Sequence, residues 1–260
     1  MEPIPATCRL GPVPCSTHTV AELLSDIRRL LSDRALAPRT IACVNAHIYN
    51  LAACDRQLQG YLNAARLVAA DGLGLVWAAR RLGIPVRERC NMTDAFHAFL
   101  ADPAQPPTRA ALLGCSPSEA ASAAARIEAV SRHCRIVLAA GGYFDDAEYR
   151  QLLCRTGSPD LVLLGMGTPK SERLLTVAAE ACPQAVVWHI GGGTIRFYAG
   201  ALKESPAWLK AFGLQWLHRL WLEPRRMWKR YLLGNPRFVY SILRLAVSRR
   251  PSQTERPKLS

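Results

Sequence analysis

The sequence predicts an α/β protein: a Rossmann-like, mostly parallel sheet with helices on both faces, followed by a C-terminal helical appendage. Three observations carry this expectation. Short apolar runs that read as buried strands alternate with longer amphipathic stretches from residue 19 to residue 190, and parallel strands need such crossover helices. The rhythm stops after Gly200, where only helical periodicity remains. The charge is also lopsided: from Arg196 to Ser260 there are fourteen Lys/Arg against three acids, +11 of the chain's formal +13. Residues 1–198 are therefore read as a core and 199–260 as a basic appendage.

Taken in order, residues 1–18 are broken by prolines and read as a loose leader. Thr19 followed three residues later by Glu22 is a capping box, and Leu23, Leu24, Ile27, Leu30 and Leu31 give its helix an apolar stripe as far as about Asp33. Arg39–Asn45 reads as a buried strand, followed by a helix from Ala46 to about Arg66 with a break near Gly60. Leu67–Ala70 is a short strand ending in Asp71-Gly72-Leu73-Gly74 before a helix at 75–82. Further helices are expected from Thr93, from Ser116 to Val130, at 145–154 and at 169–181. Strands are expected at 109–114, 134–139, 160–165 and 185–190, and Gly191-Gly192-Gly193-Thr194 opens a flexible loop. The appendage should hold helices at about 205–220, 223–233 and 236–248.

Half the residues are hydrophobic and a fifth are charged, which excludes global disorder and allows a large core. No uninterrupted apolar run approaches the roughly 20 residues needed to span a bilayer, so any membrane contact is expected to be peripheral. The N-terminal residues lack the pattern of a secretory signal, giving a cytoplasmic expectation. Nine cysteines, none in a C-x-x-C pair, argue against a zinc site and against a disulfide framework.

Leu214–Tyr231 is the most distinctive stretch. Trp208, Phe212, Trp216 and Leu220 recur every four residues as an apolar face, while Arg226, Lys229 and Arg230 form a cationic one. Aromatic rings at a headgroup boundary with cations toward phosphates suit an anionic membrane surface. Polyphosphate binding has the same requirements, and the apolar stripe would equally suit a homo-oligomer interface. No nucleic-acid-binding module accompanies the charge. Elsewhere, Gly165-Met166-Gly167-Thr168-Pro169-Lys170 is neither a dinucleotide fingerprint nor a Walker loop, but a glycine-loosened turn with a lysine at a helix N-terminus, compatible with phosphate.

In order, these features are Asn45 after a strand, Ala70-Asp71-Gly72-Leu73-Gly74, Glu88-Arg89 followed by Asp94, and Leu164-Gly165-Met166-Gly167-Thr168-Pro169-Lys170-Ser171-Glu172. Gly191-Gly192-Gly193-Thr194 and the Trp216–Tyr231 string complete the set. The set resembles the WecG/TagA/CpsF glycosyltransferases, glycosyltransferase family 26, over roughly residues 19–245. The resemblance implies an inverting enzyme that moves a sugar from a UDP-sugar to a polyprenyl-diphosphate-linked saccharide. It would act at the inner face of the cell membrane, in building surface polysaccharide or teichoic acid linkage units, without cofactor or metal. It implies Asp71 as general base, with Asn45 and Arg219 also in the catalytic set. Substrate contacts would come from Cys43, Gly72, Gly74, Arg89, Asp94, Gly165, Gly167, Lys170, Ser171, Glu172, Gly192, Arg226 and Arg230. The chain departs from the family pattern at Cys43, where Thr is usual, at Met92 for Gly and at Ser171 for Gln. It also has Ile195-Arg196 for Phe-Asp and Glu204-Ser205 for Arg-Ala. These departures leave open a changed donor, or a non-catalytic membrane-surface scaffold derived from the family.

Overall fold

The computed structural model describes residues 7–203, 205–206, 208–209 and 214–248. Six parallel strands form the central sheet: β3 (Thr40–Val44), β4 (Leu67–Ala70), β5 (Thr108–Gly114), β6 (Cys134–Ala140), β7 (Leu161–Gly165) and β8 (Val186–His189). Their spatial order is β4-β3-β8-β7-β5-β6. β3, β4, β7 and β8 are buried along their whole length, as a sheet covered on both faces requires. The helices over it are α1 (Val20–Ser32), α2 (Ala46–Ala52), α3 (Arg56–Ala64), α4 (Leu73–Arg81), α5 (Met92–Ala101), α6 (Pro117–Val130), α7 (Asp146–Arg155), α8 (Lys170–Ala181) and α9 (Gly192–Tyr198). Thr19 and Glu22 close the expected capping box on α1, and Ser116 with Glu119 closes another on α6. On one face Trp188 of β8 is fully buried, edge-on to Phe96 and Phe99 of α5 with ring centroids 5.8 Å away in each case.

Three sequence expectations are corrected within residues 7–198. Residues 7–16 are not a loose leader but a hairpin, β1 (Thr7–Leu10) and β2 (Val13–Ser16), whose Leu10, Val13 and Cys15 are fully buried. Its signal was the two-residue turn Gly11-Pro12, where Gly11 sits at φ +57. The 46–66 helix breaks at 53–55 and not at Gly60, because Asp55 caps the second segment through the N–H groups of Gln57 and Leu58. Gly192–Tyr198 is a helix, not a flexible loop. It packs so closely that a Cβ on Gly165 would run into the Ile195 side chain.

Residues 201–203 and 205–206 are not helical, so the helix expected from about 205 does not begin there; further on lie α10 (Gln215–Leu222), α11 (Pro224–Trp228), a π-helical turn at Lys229–Leu233, and α12 (Gly234–Ser248). The expected gap at 234–235 between the last two helices is absent: those residues open α12, which follows directly on the π turn. Pro236 lacks the N–H that would bond the Leu232 carbonyl and its ring crowds that carbonyl, so the helix widens there without ending. α12 docks on the core through Phe238 and Ile242, with Phe238 edge-on to Tyr49 at 5.0 Å. Phe212 of the expected apolar face, and Glu204, lie outside the described residues.

Candidate functional site

A cleft of 890 Å³ opens at the carboxyl end of the sheet, lined by the segments that leave β3, β4 and β8 and roofed by α10 to α12. β3 and β8 are neighbours from which the chain departs in opposite directions across the sheet, and α/β proteins bind ligands at such switch points.

The floor is built by two side chains that sit where strands end. Asn45 caps α2, its Oδ1 accepting from the N–H groups of His47 and Ile48 at 3.1 Å. With its oxygen committed to the helix, its amide N–H group is the end free to donate to Asp71. Asp71 follows β4, its N–H donating to the Val44 carbonyl at 2.8 Å and its Oδ1 accepting from Asn91 Nδ2 at 3.1 Å. Gly72 then takes φ +119 to start α4, a backbone conformation that a side chain would strain. Burial raises the Asp71 carboxyl above the ordinary carboxylate range, against the opposing charges of Arg219, Arg89 and Arg230 and the Asn45 hydrogen bond. The result is a carboxylate of increased basicity facing several cations, which can take a proton from a hydroxyl group.

Beneath the floor, Cys43 lies with its Sγ 3.8 Å from His189 Nδ1. Burial, and then the charges of Asp71 and Glu172, push the Cys43 thiol well above its usual range, so it is a neutral thiol at physiological pH.

The opposite wall is cationic. Arg219 of α10 lies over Gly193, close enough that a Cβ there would meet its guanidinium. Arg226 and Arg230, from α11 and the π turn, face the same space. Burial, then the Arg230 charge, lowers the His47 pKa to about 4, leaving that imidazole neutral. Arg89 links α5 to α10, donating to Gln215 Oε1 at 2.7 Å and to Asp94 at 3.1 Å. Seven Lys/Arg against two acids line the cleft, a field suited to an anionic substrate with more than one charge.

A model of the Glycosyl transferase WecG/TagA/CpsF family matches residues 8–252. The chain belongs to the WecG/TagA/CpsF family. Among its curated relatives are two proteins named N-acetylglucosaminyldiphosphoundecaprenol N-acetyl-beta-D-mannosaminyltransferase. The one from Bacillus subtilis (strain 168) is 27% identical over 205 residues, 78% of each chain. The one from Bacillus spizizenii (strain ATCC 23059 / NRRL B-14472 / W23) is 26% identical over 204 residues, again 78% of each.

Of the positions that the WecG/TagA/CpsF resemblance singles out, Cys43, Asn45, Asp71, Gly72, Gly74, Arg89, Asp94, Gly167, Gly192, Arg219, Arg226 and Arg230 all line the cleft. Four do not. The Lys170 ammonium donates to the carbonyls of Gly142 at 2.9 Å and Phe144 at 2.7 Å, which ties down the 141–144 loop. Ser171 Oγ accepts from the N–H groups of Met166 and Gly167 and so shapes their turn. Glu172 is fully buried, accepting from Thr168 Oγ1 at 2.9 Å with its Oε1 3.6 Å from His189 Nδ1. Gly165 makes room for Ile195. Conversely, Asn91, His47, Thr168, His189 and the Thr93–Thr194 hydroxyl pair at 2.9 Å line the cleft without having been singled out. An asparagine before a helix was the available signal for Asn91, which caps α5.

Arg196 stands outside the cleft and clasps it. Its guanidinium donates to Glu119 at 3.0 Å and to Glu223 at 2.5 Å, and Glu223 also accepts from Arg226 at 3.3 Å. Arg196 thus neutralises the carboxylate that would otherwise compete for Arg226. We expect Arg196→Ala to raise KM about fivefold to tenfold while the midpoint of thermal unfolding barely moves, because the pair is partly solvated and worth about 1 kcal/mol or less. Partial recovery in Arg196→Lys would identify the charge as the cause, and steady-state kinetics of the two variants checks it.

Proposed function

We propose that this chain is an inverting hexosyltransferase that moves a sugar from a UDP-sugar to a saccharide carried on a polyprenyl diphosphate, in bacterial surface polysaccharide biosynthesis. The observation that carries the reading is Asp71, a carboxyl of raised basicity on the floor of a cleft whose opposite wall is Arg219, Arg226 and Arg230. The names of the Bacillus relatives supply the acceptor class, an N-acetylglucosaminyl diphosphoundecaprenol.

In this mechanism Asp71 takes the proton of the acceptor hydroxyl as its oxygen attacks the anomeric carbon from the face opposite the diphosphate. The bond to the diphosphate oxygen breaks, UDP leaves with the electron pair, and the single displacement inverts the anomeric centre. Charge growing on the leaving diphosphate is met by the arginines, which act as preorganised donors in place of a metal ion. Asn45 holds Asp71 in position. Residues 1–198 serve as catalytic core, and residues 199–260 close the site and rest on the anionic inner face of the cell membrane. Large apolar side chains support this last assignment: among the described residues, eleven of the fifteen exposed ones lie at residue 208 or beyond. No helix among the described residues is long and apolar enough to cross a membrane.

The test is acceptor-dependent UDP release by the purified chain, with a panel of UDP-hexoses, UDP-N-acetylhexosamines and UDP-uronic acids, each with and without EDTA. We expect release with one donor class, unchanged by EDTA. Silence across the panel from folded protein would favour a non-catalytic membrane-surface scaffold, and loss with EDTA would overturn the metal-free mechanism.

A further inference from the structure

α12 has two apolar faces. One, with Phe238 and Ile242, is buried on the core. The other carries Val239, Tyr240, Leu243 and Val247, exposed at 40%, 67%, 46% and 68%, and nothing among the described residues covers it. Between this second face and Trp216 of α10 runs a groove of 570 Å³. Its walls are aromatic and aliphatic apart from Asn235, and none of its lining residues is charged. Trp216, Tyr231, Asn235 and Val239 line both this groove and the cationic cleft, so the two are continuous. The Trp216 and Tyr231 rings, 6.0 Å apart, stand at the junction.

We propose that this groove holds the first isoprenoid units of the acceptor's own lipid chain, immediately beyond its diphosphate. The inference rests on the proposed function and goes further by assigning a place to the part of the acceptor that does not react. The charge pattern argues for this occupant. Along one path the lining passes from Arg219, Arg226 and Arg230 to a stretch with no charge at all. The ligand that satisfies both ends is an amphiphile whose anionic head is joined directly to a hydrocarbon chain. Burying that chain would lower the free energy of the bound acceptor by the apolar area removed from water, and would orient the diphosphate toward Arg226 and Arg230. A second copy of this chain or a flat bilayer would cover the apolar face without explaining its continuity with the arginines.

The experiment uses the full chain without membrane. Acceptors carry one saccharide diphosphate on isoprenoid chains of five, ten or fifteen carbons, each below its micelle-forming concentration. For the wild type we expect KM to fall by about tenfold or more from the shortest chain to the longest. A Tyr240→Asn/Leu243→Asn variant, changed at two exposed positions in the groove, should show little gain between the five- and fifteen-carbon acceptors. A chain-length dependence equal to that of the wild type would overturn the groove assignment. So would a wild type indifferent to length, the exposed face then belonging to the bilayer or to a second copy of the chain. Absence of turnover by the wild type on every acceptor would overturn the proposed function and this inference with it, an outcome distinct from turnover that ignores chain length.

Discussion

Asp71→Asn is expected to lower sugar transfer by about a hundred- to ten-thousand-fold, the range that a general base contributes, with the fold intact. The amide is nearly isosteric and its oxygen can still accept from Asn91 Nδ2, so the floor of the cleft keeps its shape. What is lost is the proton acceptor. Because folding raises the Asp71 pKa, the folded state favours the protonated form. Stability from this group is therefore present below the unfolded carboxylate pKa and lost as pH rises through the higher folded value. At neutral pH the ionised carboxylate is a net cost to stability, and the Asn variant should be at least as stable as the wild type. The same shift predicts that kcat/KM of the wild type falls on the acid side at a pH above that of an ordinary carboxylate. Transfer rates, a pH profile and thermal unfolding of the pair check all three statements. Near-normal turnover by Asp71→Asn would remove Asp71 from the role of base.

Arg219→Ala should cost about a hundred- to a thousand-fold in kcat, comparable to removing one preorganised donor from an oxyanion site. Arg219 is the largest of the charges that oppose the effect of burial on Asp71. Its removal should therefore also move the acid limb of the pH profile upward. Arg219→Lys should bring the limb back, since a point charge suffices for that, but recover the rate only in part, since an ammonium lacks the planar fork that meets a diphosphate with two bonds. A variant with lowered rate and an unmoved acid limb would separate Arg219 from Asp71 and place its action elsewhere.

Local patterns gave the elements wherever one periodicity acted alone. The β3 to β8 alternation was legible because each strand is a short, mostly apolar run and several helices carry their own caps, as with Thr19 and Ser116. The hairpin at 7–16 was missed because prolines usually mark loops, whereas here burial of Leu10, Val13 and Cys15 outweighs that tendency. The Gly192–Tyr198 helix was missed because its three leading residues are glycines or a threonine, poor helix formers held by packing on Gly165.

The sequence by itself determined the parallel α/β core, the segregation of positive charge into the last quarter, and the residues at the ends of β3 and β4 where a cleft would form. These follow from composition and short-range spacing. Only the tertiary structure decided which polar residues face the cleft. Lys170, Ser171 and Glu172 are adjacent to Gly167 in the chain, yet main-chain carbonyls, main-chain N–H groups and the Thr168 hydroxyl hold them away from it. Arg89, Gln215 and Arg219 are far apart in sequence and meet there. The physical reason is that a buried polar group takes whichever partner the fold brings within hydrogen-bonding distance, and that choice depends on contacts between elements that no local pattern encodes.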